Sequence, residues 1–308
     1  MITADPHALH DAAAIWYAAN ARDLPWRRTA DPYAILISEV MLQQTQVERT
    51  IPKYRQFLET FPTLEALAKA EPGDVIRVWS GMGYNGRAVR LHKLAQVTVD
   101  ELGGRLPETI AELRKLPGIG PYTAAAVACF AFGAAVPVQD TNIYRVLSRL
   151  VWGVDAPARR EIDGVAEAFV PGQDAPLDAS TWHQALMDIG AALCTASKPR
   201  CMLCPFRARC AAAPLLQDGS SRTLAEASVP YFPKQGKFVG STRYYRGRII
   251  EMLRNLERGE SLTLDRLAEA FAAAPEAGQA QRAWLDGLVD GLVRDGLTRR
   301  DGDEVMLP

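Results

Sequence analysis

Leu116-Pro117-Gly118-Ile119-Gly120-Pro121-Tyr122-Thr123 lies between two stretches of helical spacing, and its reading decides the fold. Two glycines around one apolar residue allow a tight turn that exposes successive backbone N–H groups. Pro121 suits the first position of the helix that follows, where its missing N–H is not needed. Such a turn at a helix N-terminus grips an anion, and a phosphate held by amides is held whatever the base sequence. An isolated Gly-x-Gly also occurs in ordinary helix–helix connections, so the turn alone leaves both readings open.

Working outward, Ala8 to Ala21 reads as an amphipathic helix with Leu9, Ala12, Ile15, Trp16 and Ala19 on one face. Ala34 to Phe57 has helical spacing, with an interruption expected near Ile51-Pro52. Thr63, Pro72-Gly73 and Pro107 mark further helix starts. The longest apolar run, Ala124 to Val138, is broken by Gly133 and is too short to span a membrane, which takes about 20 residues. It reads as a buried helix. The spacing predicts an all-α bundle. Residues 216–240 lose periodicity and read as a linker. Beyond them Tyr244 to Leu256, Leu262 to Phe271 and Arg282 to Asp295 read as helices, and Leu297 to Arg300 with Glu304 to Leu307 as a hairpin. Three helices followed by a hairpin is winged-helix order.

At 308 residues the chain is long enough for two or three domains, and 48% hydrophobic with 23% charged residues excludes general disorder. A net charge of -1 argues by itself against a nucleic-acid binder. Local runs argue the other way. Lys198, Arg200, Arg207 and Arg209 are unopposed by acids, as are Lys234, Lys237, Arg243, Arg246 and Arg248. The N-terminus has no basic region followed by an apolar core, so the expected location is cytoplasmic.

Four of the five cysteines, Cys194, Cys201, Cys204 and Cys210, have the spacing C-x6-C-x2-C-x5-C. In a reducing compartment this reads as a metal site, either zinc or an iron–sulfur cluster, because only one C-x2-C pair is present. Cys129, in an Ala-rich run, reads as a core residue. Two carboxylates stand out. Asp140 follows the apolar run and precedes Asn142, Arg145 and Arg149; it suits an N-cap. Glu39 sits among Ile37, Val40, Met41 and Leu42, either on the wet side of an amphipathic helix or buried with a raised pKa, the state wanted in a general acid. Two carboxylates are what cleavage of a glycosidic bond needs.

Together, the hairpin, Asp140 and the four cysteines, in this order and spacing from Arg22 to Cys210, resemble the helix-hairpin-helix, Gly/Pro-Asp family of DNA glycosylases. The resemblance implies a two-domain helical fold with an iron–sulfur loop: a barrel over 22–134 and a cluster domain from 1–21 and 135–215; the winged-helix-like unit over 241–308 lies outside it. It implies that Cys194, Cys201, Cys204 and Cys210 hold a [4Fe-4S] cluster. Asp23-Leu24-Pro25-Trp26-Arg27 and Ser38 to Val47 resemble the MutY branch, which removes adenine opposite 8-oxoguanine or guanine.

In that branch the residue matching Glu39 protonates the adenine ring, and that matching Asp140 steadies the sugar cation, aided by Asn142. Arg27 and Tyr122 match base-pocket residues. Gln43 and Gln44 match the wedge that enters the duplex, and Tyr84, Leu116, Gly118 and Gly120 match further DNA contacts. The bifunctional branch has a Lys in place of Tyr122; a phenol cannot form a Schiff base, so base removal without strand cleavage is expected. The expected partner is a mispaired duplex, met by a monomer. Two departures stand out: a short helical C-terminus where the branch usually has a Nudix-like domain, and Asn85 where it usually has an aromatic. A thymine or uracil mismatch glycosylase and a noncatalytic iron–sulfur DNA-binding protein are the alternatives.

Overall fold

A computed structural model describes residues 5–153, 159–217, 237–272, 274 and 281–308. The described residues are mostly helical: α1 (Pro6–Asn20), α2 (Pro32–Leu42), α3 (Val47–Thr60), α4 (Leu64–Lys69), α5 (Pro72–Val78), α6 (Gly86–Leu102), α7 (Ile110–Leu113), α8 (Pro121–Phe132), α9 (Thr141–Val151), α10 (Arg159–Ala168), α11 (Ala179–Ala192), α12 (Ala213–Gln217) and α13 (Thr242–Arg254). They are followed by β1 (Leu262–Thr263), α14 (Leu264–Ala270), α15 (Gln281–Arg294), β2 (Arg299–Asp301) and β3 (Glu304–Met306). No helix of the described residues is long and apolar enough to cross a membrane.

Two compact units emerge. The first comprises the described residues within Met1–Leu36, Glu108–Arg114 and Ile119–Phe232. Its main core joins Leu9 and Ala13 of α1 to Ile143, Leu147 and Leu150 of α9, to Trp182, Leu186 and Ile189 of α11, and to Phe169 and Phe206 outside these helices. The second comprises those within Ile37–Pro107, Lys115–Gly118 and Pro233–Pro308. There the terminal helices share a core with Ile76 of α5, built on Tyr245, Ile249, Leu267, Leu285, Leu292 and Val305.

Capping residues start many of these helices. Thr63, Thr109 and Asp178 accept from the third residue onward, satisfying backbone donors that a helix leaves unpaired at its start. Gly133, with φ +69°, ends α8 in the left-handed conformation, so the apolar run from Ala124 continues beyond Phe132 as irregular chain.

Three sequence expectations need correction. Pro52 lies inside α3 without breaking it, because the carbonyl it leaves unbonded belongs to the exposed Glu48 and can be hydrated; the break falls instead at 43–46, where Gln44 takes φ +55°. In α1 the buried residues are Leu9, His10 and Ala13, whereas Ile15 is 76% exposed. The terminal hairpin gains a third strand, since Leu262 pairs with Val305 to give the order β1-β3-β2. Most of the expected 216–240 linker, including Lys234, lies outside the described residues.

Candidate active site and DNA-contact surface

The hairpin links α7 to α8. Gly118 adopts φ +80°, and a Cβ there would meet the Arg90 side chain at 3.0 Å, so this position needs glycine twice over. Gly120 is the N-cap of α8, with Pro121 at its first position. Leu116 and Ile119 are buried, which leaves the backbone of the turn as its polar face.

Glu39 is 6% exposed in α2, a helix buried along most of its length between Tyr33 and Met41, so the wet-face alternative is excluded. α2 ends in the loop that carries Gln43 and Gln44. Gln44 is exposed, as is Tyr84, whose φ is +45°. One buried cation holds both loops. Arg87 of α6 donates to the carbonyls of Val40, Met41 and Gln43 at 2.7–3.1 Å and to those of Met82 and Gly83 at 2.8 and 3.2 Å. Its guanidinium also lies over the rings of Trp79 and Tyr84. Burial lowers its pKa to about 10, still well above neutrality. Sequence reading passed over Arg87 because its partners are main-chain carbonyls, which leave no mark on residue type. Replacing it with Met is expected to cost more than about 3 kcal/mol by orphaning several buried acceptors, as a denaturant titration would measure.

Asp140 caps α9. Its Oδ1 accepts from the Ile143 N–H at 2.7 Å and its Oδ2 from Asn142 Nδ2 at 2.8 Å. Withdrawal from water pushes the carboxyl above its ordinary pKa, against the pull of those hydrogen bonds and of Arg145. Arg145 donates to Asn142 Oδ1 and to the Gly190 carbonyl, both at 2.8 Å, and through Nε to the Cys194 carbonyl at 2.7 Å. Asp140, Asn142, Arg145 and the start of the cysteine loop are therefore one hydrogen-bonded chain. The loop entering Asp140 is fixed as well: the Val138 N–H donates to His183 Nε2 at 3.0 Å, and burial pushes that imidazole down to about 4. Tyr122 packs beside this loop, against the cluster containing Val138 and Ala126.

Arg27 is anchored by a buried acid. Its guanidinium forms a two-pronged ion pair with the buried Asp188, at 2.8 and 2.9 Å, and Arg22 adds a third contact at 2.6 Å. Burial alone would raise the Asp188 carboxyl, but Arg27 and Arg22 outweigh it and hold the group below the ordinary range. Asp188 is a second residue that sequence reading missed. The available signal was an acid within the apolar face of α11.

Cys194, Cys204 and Cys210 pack on the core around Phe206, and Cys201 opens a short 3-10 turn in the same loop. Burial pushes the Cys204 thiol up to about 12 and Cys210 up to about 11, and the neighbouring thiols of the set reinforce both shifts. Four mutually opposing thiols become thiolates together only around a cationic centre, which is the chemistry of a metal or cluster site. The buried Arg149 donates to Cys194 Sγ at 3.5 Å and to the carbonyls of Thr195 and Ala196. Among the described residues no three His, Cys, Asp or Glu side chains are grouped around a point that could hold one metal ion. Cys129 is fully buried, as expected of a core thiol.

Residues 37–171 match the family model described as "HhH-GPD superfamily base excision DNA repair protein". The chain is 42% identical over 284 residues to the adenine DNA glycosylase of Mycolicibacterium smegmatis, covering 90% of each protein. It is 41% identical over 210 residues to the human adenine DNA glycosylase, covering 64% of this chain and 38% of that protein. Among solved structures, a thermostable thymine-DNA glycosylase superposes with a TM-score of 0.61 at 30% identity, over 68% of this chain and 97% of that one. An endonuclease III trapped on DNA superposes with a TM-score of 0.59 at 22% identity, over 70% of this chain and 100% of that one, a likeness of fold.

Proposed function

The chain belongs to the HhH-GPD superfamily of base excision DNA repair proteins, and we propose that within it this protein excises adenine mispaired with 8-oxoguanine or guanine and leaves the strand uncut. The similarity to adenine DNA glycosylases along nearly the whole chain carries this reading. Adenine stacked in a duplex cannot reach an acid inside a protein, so the nucleotide is flipped out at a cost of a few kcal/mol, offset by contacts to the wedge and phosphates. Gln43, Gln44 and Tyr84 supply the wedge and its neighbours, and the amides at Gly118 and Gly120 take a phosphate.

Glu39 donates its proton to a ring nitrogen of the everted base. The N-glycosidic bond breaks with its electron pair going to the adenine, and the Asp140 carboxylate, oriented by Asn142, steadies the cation left at the sugar until water adds there. Tyr122 and Arg27, the latter held by its ion pair with Asp188, bound the base pocket. No lysine stands at Tyr122 to capture the sugar, so the product is an abasic site in an unbroken strand. A monomer suffices for each of these steps.

Single-turnover excision from A:8-oxoG, A:G, A:C, T:G and U:G duplexes, followed by alkali, tests the proposal. Adenine release with alkali-dependent strand breaks is expected. Faster release of thymine would move the protein to the thymine-DNA glycosylase activity named for its structural neighbour.

We also propose that Cys194, Cys201, Cys204 and Cys210 hold a [4Fe-4S] cluster that braces the loop carrying Lys198, Arg200, Arg207 and Arg209. The purified protein is then expected to be brown, with broad absorbance near about 400 nm from sulfur-to-iron charge transfer. A colourless, zinc-loaded and fully active preparation would overturn this assignment.

A further inference from the structure

Within the second unit, the terminal helices are fixed to the helical segment beside them. Arg254 donates to the Ile76 carbonyl and to Asn85 Oδ1, both at 2.9 Å; Arg77 donates to the Leu256 and Glu257 carbonyls; and the Gly73 N–H donates to the Pro308 carbonyl. Asn85, which departs from the family's aromatic, is thus an anchor for the terminal unit. This docking leaves a cavity of about 1050 Å³ between α6 and α13.

Its lining has a marked charge. Arg49 and Arg90 come from one side, Arg243 and Arg246 from α13, and the single acid is Asp295. Arg246 pairs with Asp295 and lies where Gly291 leaves room, since a Cβ there would meet its Nη1. Gln44 and Tyr84 also line the cavity, and they are the only non-glycine residues with positive φ among the described residues. Backbone strain of this kind gathers at functional sites. Arg90 joins the cavity to the hairpin, since the same side chain packs under Gly118.

Resting on the DNA-repair reading above, we propose that this cavity is a seat for the sugar–phosphate backbone of duplex DNA, gripped from the terminal unit by Arg243 and Arg246. The terminal unit then belongs to the DNA-binding surface and is more than an appendage. An acidic peptide would be drawn by the same cations. A nucleic-acid strand is favoured because Gln44 and Tyr84, the residues assigned to the wedge, stand at the same cavity, and because the hairpin's own Gly118 rests on one of its arginines.

The test is equilibrium binding of the full chain to a fully matched duplex between 50 and 200 mM salt. This needs no excision, so a mistaken base assignment would leave the result intact. Each phosphate contact adds about 0.9 to the slope of log affinity against log salt. Arg243→Gln/Arg246→Gln is expected to weaken binding and lower that slope by about two. Asp295→Asn, which removes the acid opposing Arg246, is expected to tighten binding, a gain that misfolding cannot mimic. A wild-type slope in the double variant, or no tightening in Asp295→Asn, would overturn the proposal, including in favour of a peptide partner.

Discussion

Asp140→Asn is expected to lower adenine excision by at least about 10²–10³-fold, the usual effect of losing one group that stabilises charge in the transition state, while duplex binding and folding persist. Persistence of the fold follows from two opposed effects. The Asp140 pKa is raised on folding, so the folded protein holds this proton more tightly than the unfolded chain. The associated stability is fully present below the ordinary carboxylate value and is lost as pH rises through the folded value; at neutral pH the ionised group is a cost, which Asn relieves. Asn keeps an oxygen for the Ile143 N–H but presents an amide to Asn142 Nδ2, whose partner it can no longer be, at about 1 kcal/mol. The net change in melting temperature is expected to stay within about 5 °C at pH 7. Single-turnover kinetics beside a thermal melt checks both halves. Unchanged turnover would remove Asp140 from the chemistry, and collapse of the fold would make its capping role dominant.

Glu39→Gln is expected to reduce the single-turnover rate by about 10²–10⁴-fold, the span over which a positioned general acid acts. Gln matches Glu in size and can remain in the buried segment of α2, but it has no proton to give the leaving base. Affinity for the mispaired duplex is expected to hold, since the wedge and hairpin residues are untouched. A rate within twofold of wild type would place the proton donor elsewhere. A parallel loss of rate and affinity would mark Glu39 as a support for the Gln43–Gln44 loop.

The residues that announced themselves in the sequence are those whose type is dictated by local geometry or by donor chemistry. Gly118 and Gly133 require positive φ, Thr63 and Asp140 cap the helices they precede, and four clustered cysteines imply a metal whatever surrounds them. Long-range partners were harder to read. Pro52 looked like a break because sequence does not show that the carbonyl it orphans belongs to an exposed residue, Glu48. Leu9 of the expected apolar stripe of α1 is buried, but the packing of α1 on α11 adds Ala13 and leaves Ile15, which fits the stripe by spacing, exposed. A two-residue strand such as β1 has too little pattern to be seen before its partner β3 is known. Asn85 stood out only as a departure from the usual aromatic; that it accepts from Arg254, 169 positions away, leaves no local mark.

Gly190 gives one last lesson about where this protein is vulnerable. A Cβ at that position would meet the Asn142 Cβ at 2.6 Å and the Asn142 Cα at 3.3 Å, so even alanine must push the first turn of α9 aside. Because the Gly190 carbonyl also receives Arg145, the displacement would spread at once to the cap and to the loop of thiols. A single methyl group at this position of α11, as in Gly190→Ala, is expected to lower excision in single-turnover kinetics, although Glu39, Asp140 and every cysteine keep their identity.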